Sequence, residues 1–190
     1  MMNKNQSRAF GFLWVSLLWL CLGAPLKAET RDEQLTRLFS ELHDASSVEV
    51  AARVEGRIQA LWAQSSSATT DLLMERAGLA MAKQDFPVAI ELLDGVITRE
   101  PDFSEGWNRR ATVFFLMGDY NRSISDIAET LKREPRHFGA LSGLGFMLLT
   151  RGDLVHAREA YEKVLALYPM MESARLAMKR IDEEKGETAL

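Results

Sequence analysis

Apolar residues recur at helical spacing along most of the chain. In residues 31–44 (RDEQLTRLFSELHD) they fall at Leu35, Leu38, Phe39 and Leu42, and in residues 48–63 at Val50, Val54, Ile58, Leu61 and Trp62, which gives each segment one buried face. Ala45-Ser46-Ser47 turns between them, so the pair predicts a helical hairpin. The small polar stretch Ser65 to Thr70 predicts a break, then the N-cap of the next helix. Near the other end, residues 172–185 set Ala174, Leu176, Met178 and Ile181 among charges, as a solvated capping helix does, and Gly186 to Leu190 reads as a fraying tail. Residues 9–23 (AFGFLWVSLLWLCLG) differ from all of these in being an unbroken apolar or small run.

Between the flanks the pattern repeats. Pro101, Pro135 and Pro169 stand 34 residues apart, and the same period superposes Leu73, Trp107 and Leu141; Ala77, Ala111 and Gly145; Asp85, Asp119 and Asp153; and Ala89, Ser123 and Ala157. With units counted from Thr70, Ser104 and Phe138, the fourth place is large and apolar, the eighth and twentieth are small, the sixteenth is Asp and the thirty-second is Pro. Each column has a mechanical reason. Two helices per unit present the fourth, eighth and eleventh residues, then the twentieth, twenty-fourth and twenty-seventh, to one another, and the small places let them approach. Gly118-Asp119 and Gly152-Asp153 stop one helix and cap the next, Gln84-Asp85 being the weaker turn. Proline closes the unit because it lacks an amide donor and restrains the residue before it.

These columns closely resemble the tetratricopeptide repeat (TPR), most clearly in Trp107, Ala111, Gly118-Asp119-Tyr120 and Pro135, and in Leu141, Gly145, Gly152-Asp153, Ala157, Tyr161 and Pro169. Departures are Ser123 for alanine, Thr130 at an aliphatic place and Gln84 in the first turn. The resemblance implies an all-α right-handed superhelix, an α-solenoid, divided into a signal peptide (1–28), an N-terminal helical hairpin acting as a cap (29–65), TPR-like repeats at 70–103, 104–137 and 138–171, and a capping helix with its tail (172–190). Arg76 and Arg110 occupy a seventh place where leucine is commoner. They are either ligand contacts or structural, Arg110 then crossing to Asp126, as many TPR-like units do.

The resemblance also implies a concave groove lined by the first helix of each unit. Its candidate protein-binding residues are Met74, Gly78 and Met81; Asn108, Arg109, Thr112 and Phe115; and Ser142, Phe146 and Leu149. The methionines, phenylalanines and leucine offer adaptable apolar contact to a helix or extended peptide, the small residues leave room, and Asn108 with Arg109 could hold its backbone. TPR proteins that grip a chaperone's terminal carboxylate use lysine, asparagine and arginine on these helices. Here Met74, Gly78, Gly139 and Gly143 stand at those places, so such a carboxylate would find no cation.

Composition narrows the chemistry. The 190 residues are 47% hydrophobic and 26% charged, with a formal charge of −4. The first 28 hold Lys4, Arg8, Lys27 and no acid, so the remainder has 20 basic and 27 acidic residues, an unfavourable balance for a general nucleic-acid binder. Basic residues followed by an apolar core, Pro25 and a small Ala28 predict a signal peptide cleaved after Ala28, with an uncleaved anchor as the alternative and as the only membrane contact. Cys21, the single cysteine, lies in that segment, so a mature chain has no cysteine chemistry, as suits an oxidising compartment. The expected location is therefore the periplasm of a Gram-negative cell, or secreted.

His43, His137 and His156 lack metal-ligand spacing and read as surface residues, His137 alone being placed near the groove. Gly139, Gly143 and Gly145 fall on a predicted helix with no preceding strand, and close helix packing explains them better than a phosphate loop. No catalytic, cofactor or metal site emerges. The expectation is a non-enzymatic scaffold binding a peptide or helix of a cell-envelope protein, the alternative being a self-associating subunit that works through terminal or convex faces.

Overall fold

The computed structural model describes residues 29–188. The predicted signal segment, its cleavage point and Cys21 lie outside the described residues. Within them the chain forms nine helices: α1 Arg31–His43, α2 Val48–Trp62, α3 Ala68–Ala82, α4 Phe86–Arg99, α5 Ser104–Leu116, α6 Tyr120–Arg133, α7 Phe138–Thr150, α8 Leu154–Leu167 and α9 Glu172–Thr188. The all-helical solenoid expected from the repeat is thus the observed fold class. α3–α4, α5–α6 and α7–α8 are antiparallel pairs, and α5, α7 and α9 each pack on the second helix of the pair before.

The repeated columns do in space what their chemistry requires. Asp85, Asp119 and Asp153 accept the backbone N–H of Val88, Arg122 and His156, satisfying an amide that the helix leaves without a partner. The turns before them need a left-handed residue, supplied by Gly118 and Gly152 at φ 77° and, at a steric cost, by Gln84 at φ 60°. Ala77, Ala89, Ala111 and Ala157 are buried where helices approach, and a Cβ on Gly145 would stand 2.9 Å from the Tyr161 ring. The departures from the repeat also find partners. Buried Ser123 donates its hydroxyl to the Ala111 carbonyl at 2.8 Å, and buried Thr130 donates to the Asp126 carbonyl at 2.9 Å.

Arg110 takes the structural role. Its Nε and Nη2 donate to both oxygens of Asp126 at 2.7 and 2.8 Å, while Nη1 reaches back to Asp94 of the preceding pair at 2.5 Å. These carboxylates hold its guanidinium further toward the charged form, led by the Asp126 hydrogen bonds and opposed by burial.

The hairpin is where the structure departs from expectation. α1 and α2 form the predicted pair but do not stack on α3–α4 as a cap. They pack instead on the third unit and on the loop that leads into it. Arg136 in the loop between α6 and α7 donates to Asp32 at 3.1 Å and to Thr36 at 3.3 Å, and its guanidinium lies 4.9 Å from the Phe39 ring. Trp62 donates to Glu134 at 3.3 Å and packs on Phe138 at 5.0 Å. Farther along, the Tyr168 hydroxyl donates to Glu55 at 3.0 Å, and the phenol is pushed up to about 12 by burial, then by that carboxylate. Leu35, Leu38, Leu42, Val54 and Ile58 therefore share one core with Phe138, Leu141, Tyr161 and Tyr168 of the third unit. At the far end α9 buries Ala174 and Ile181 in the same core, and its helix extends to Thr188.

Candidate protein-binding groove

α5 and α7 face each other across two adjoining cavities. The first, about 290 Å³, is lined by Ala111, Thr112, Phe115, Ile127, Ser142 and Phe146 among others. Phe115 stacks on Tyr120 at 5.7 Å, and its ring meets the edge of Phe146 at 5.6 Å. Phe146 remains 46% exposed, so this aromatic pair forms a lip that solvent still reaches. The room below comes from small residues, Gly139, Ala140 and Gly143 on α7 and Ala111 on α5.

The second cavity, about 570 Å³, shares Asn108 and Gly139 with the first and is polar. Its far wall is α2, through Gly56, Gln59 and Ala60, with Ala63 just beyond the helix, facing Glu105, Arg109 and His137. Glu105 organises this wall. Asn108 Nδ2 donates to it at 3.0 Å, Arg109 Nε at 3.1 Å, and His137 Nε2 lies 3.3 Å away. The His137 Nδ1 accepts the Ala140 N–H at 3.2 Å and so caps α7, which leaves the ring proton on Nε2, aimed at Glu105. Burial acts to raise the Glu105 carboxyl, but the hydrogen bonds from His137 and Arg109, with the Arg109 charge, outweigh it and hold the group below the usual carboxylate range.

The ten candidate residues fall into distinct groups. Asn108, Thr112, Phe115, Ser142 and Phe146 are brought together around the apolar cavity, and Arg109 lines the polar one. Met74 and Leu149 are buried and do not line the groove. Met74 joins the core that includes Val113 of the next unit's first helix, leaving its carbonyl to accept from Arg109 at 3.4 Å. Leu149 joins the core that α9 helps to close, because α9 follows the last unit where another repeat would otherwise stand. Gly78, beside the Arg109 guanidinium, and half-buried Met81 line neither cavity.

His137 is a further correction. It is 4% exposed and stacks flat on Trp62, with ring centroids 4.2 Å apart, whereas the sequence placed it on the surface. No spacing in the sequence announced that contact, since its partner comes from the hairpin. Among the described residues no group of three or more His, Cys, Asp or Glu is placed to hold a metal ion.

Comparison with known proteins gives this geometry a family. A family model described as "Tetratricopeptide repeat" matches residues 109–170. A TPR repeat-containing protein of Rhizobium etli is 39% identical over 152 residues, which cover 80% of this chain and 74% of that protein. The chain belongs to the tetratricopeptide repeat family. This TPR chain is also 28% identical, over 92% of its length, to the small glutamine-rich tetratricopeptide repeat-containing protein 2 of Saccharomyces cerevisiae, of which it spans 49%. Among solved structures the TPR fold recurs in the first TPR of Spaghetti (RPAP3) bound to HSP90 peptide SRMEEVD, with a TM-score of 0.60, 20% identity, and coverage of 64% of this chain and 96% of that one. It recurs over a longer stretch in the MamA protein, with a TM-score of 0.57, 19% identity, and coverage of 82% and 84%.

Proposed function

We propose that this TPR chain is a non-enzymatic interaction module that binds an apolar segment of a partner protein in the groove between α5 and α7. The observation that carries the reading is the exposed Phe146 over an apolar cavity whose floor is kept open by glycine and alanine. Aromatic side chains at such a lip bring large contact area at little entropic cost, and a preformed helical wall leaves the partner alone to order on binding. That structural neighbours include the Spaghetti domain bound to an HSP90 peptide and the TPR2B domain in a pHsp70 complex of yeast Sti1 supports peptide binding as a use of this fold. The ligand differs in kind. Gly139 and Gly143 line the cavity where a carboxylate grip would need side chains, and Arg109 is already engaged by Glu105, so the groove favours an internal apolar segment over a terminal carboxylate.

The basic and apolar leading segment supports export, with the partner in the cell envelope and the mature chain beginning at Glu29. N-terminal sequencing of the protein recovered from a periplasmic fraction tests this, and recovery of an intact Met1 terminus would remove the export reading.

The groove is tested by capture from envelope extract with the mature chain and its Phe146→Asp variant. Phe146 is the better substitution because half-buried Phe115 also supports Tyr120. With circular dichroism unchanged, a partner retained by the first bait and lost by the second is the expected result. The same proteins on both baits would place binding elsewhere.

A further inference from the structure

The register of the repeat shows which places join one unit to the unit before. In the second unit the third and tenth places are Gly106 and Val113, and in the third unit they are Ala140 and Met147, all buried. Gly106 sits so close to α4 that a Cβ there would meet Val96 at 2.8 Å, and Val113 and Met147 are 0% exposed. Between them, the seventh-place Arg110 pairs backward with Asp94 of the unit before. The first unit has Leu72, Arg76 and Leu79 at the same three places. Because the hairpin is docked on the third unit instead, nothing among the described residues covers them. Leu72 is 45% and Leu79 57% exposed, and Arg76 and Glu75 are exposed with no ion pair among the described residues.

We propose that this bare face of α3 is a homodimer interface, covered by the same face of a second copy. The argument is in the order of its residues. Leu72, Glu75, Arg76 and Leu79 lie on one side of α3, opposite the buried Met74, Ala77 and Ala80. When two copies of α3 cross antiparallel about a two-fold axis between Glu75 and Arg76, Leu72 of one meets Leu79 of the other. Glu75 of each likewise meets Arg76 of the other. Every contact is made twice, as an isologous interface requires, and both charges on each copy are matched. Head-to-tail stacking lacks this match, because the free side of α9 offers a single exposed apolar residue, Leu176, among exposed Glu172, Lys179 and Glu183, where Leu72 and Leu79 would need an apolar seam. The interface lies at the end of the array, away from the α5–α7 cavities, so it is independent of the groove and leaves it open.

The test is sedimentation velocity with light scattering on residues 29–190 over a wide concentration range. The wild-type chain is expected to form dimers. Leu79→Asp and Glu75→Arg each change an exposed side chain, so circular dichroism should stay unchanged, and each is expected to raise the dimer dissociation constant by about tenfold or more. Arg76→Glu should do the same alone, whereas the double variant E75R/R76E restores dimers. Mixing the two single charge variants should also give a heterodimer, which no structural loss could produce. A chain that stays monomeric throughout overturns the proposal. So do a dimer indifferent to Leu79→Asp and a double variant no better than its single parents.

Discussion

Gln84 holds a backbone conformation that its two sister turns assign to glycine. At φ 60° its Cβ crowds the neighbouring peptide, while Gly118 and Gly152 have none to crowd. Gln84→Gly is therefore expected to stabilise the chain by about 0.5–1 kcal/mol, the relief of strain exceeding the added freedom of the unfolded chain. Urea denaturation measures it, and a lower midpoint would show that the turn is unstrained. Glu105 gives a prediction of opposite kind. Its folded-state carboxyl titrates below the usual range, so the unfolded chain binds the proton more readily. The stabilisation is then fully present above the ordinary carboxylate pKa and is lost as pH falls through the lower folded value. Glu105→Gln should reduce the urea midpoint most at neutral pH and least in acid, and an equal deficit at every pH would mean that the His137 and Arg109 contacts do not depend on the charge.

At the scale of elements, the repeat was legible and the hairpin's position was not, for one reason. Each helix pair meets its neighbours through the same contacts, so selection of small, capping and helix-ending residues recurs every 34 positions and can be read as a period. The hairpin meets the array once. Its ties join Asp32 to Arg136, Glu55 to Tyr168 and Trp62 to Glu134, residues 104, 113 and 72 apart, and a contact made once leaves no repeating trace. The groove shares both characters. Thr112, Phe115, Ser142 and Phe146 followed from register, but the polar wall with Glu105, His137 and α2 depended on where the hairpin docks. Trp62 carries much of that docking, being 3% exposed between His137 and Phe138. Trp62→Ala is expected to cost about 3–5 kcal/mol, far more than removal of half-exposed Trp107, and chemical denaturation of both variants makes the comparison.

For the molecule as a whole, the docking of the hairpin changes what unfolds with what. An array joined only through neighbours has local stabilities that decay with distance along the chain, and α1–α2 would then open together with α3–α4. Here the hairpin's apolar face is buried with α7, α8 and α9, while the short polar link Ser65 to Ser67 leads to a first unit that it scarcely covers. Phe138 is the place to test this, 2% exposed and ringed by Phe39, Trp62 and Tyr168 at 6.4, 5.0 and 5.7 Å. Phe138→Ala removes a shared anchor at a cost of about 3 kcal/mol or more, equivalent to roughly a hundredfold in an opening equilibrium. Native-state hydrogen exchange should show the amides of α1 and α2 accelerating together with those of α7 and α8, while the protection of α3 and α4 changes much less. If α1–α2 instead follows α3–α4, the hairpin is energetically part of the first unit, and the polar cavity it walls would open independently of the third.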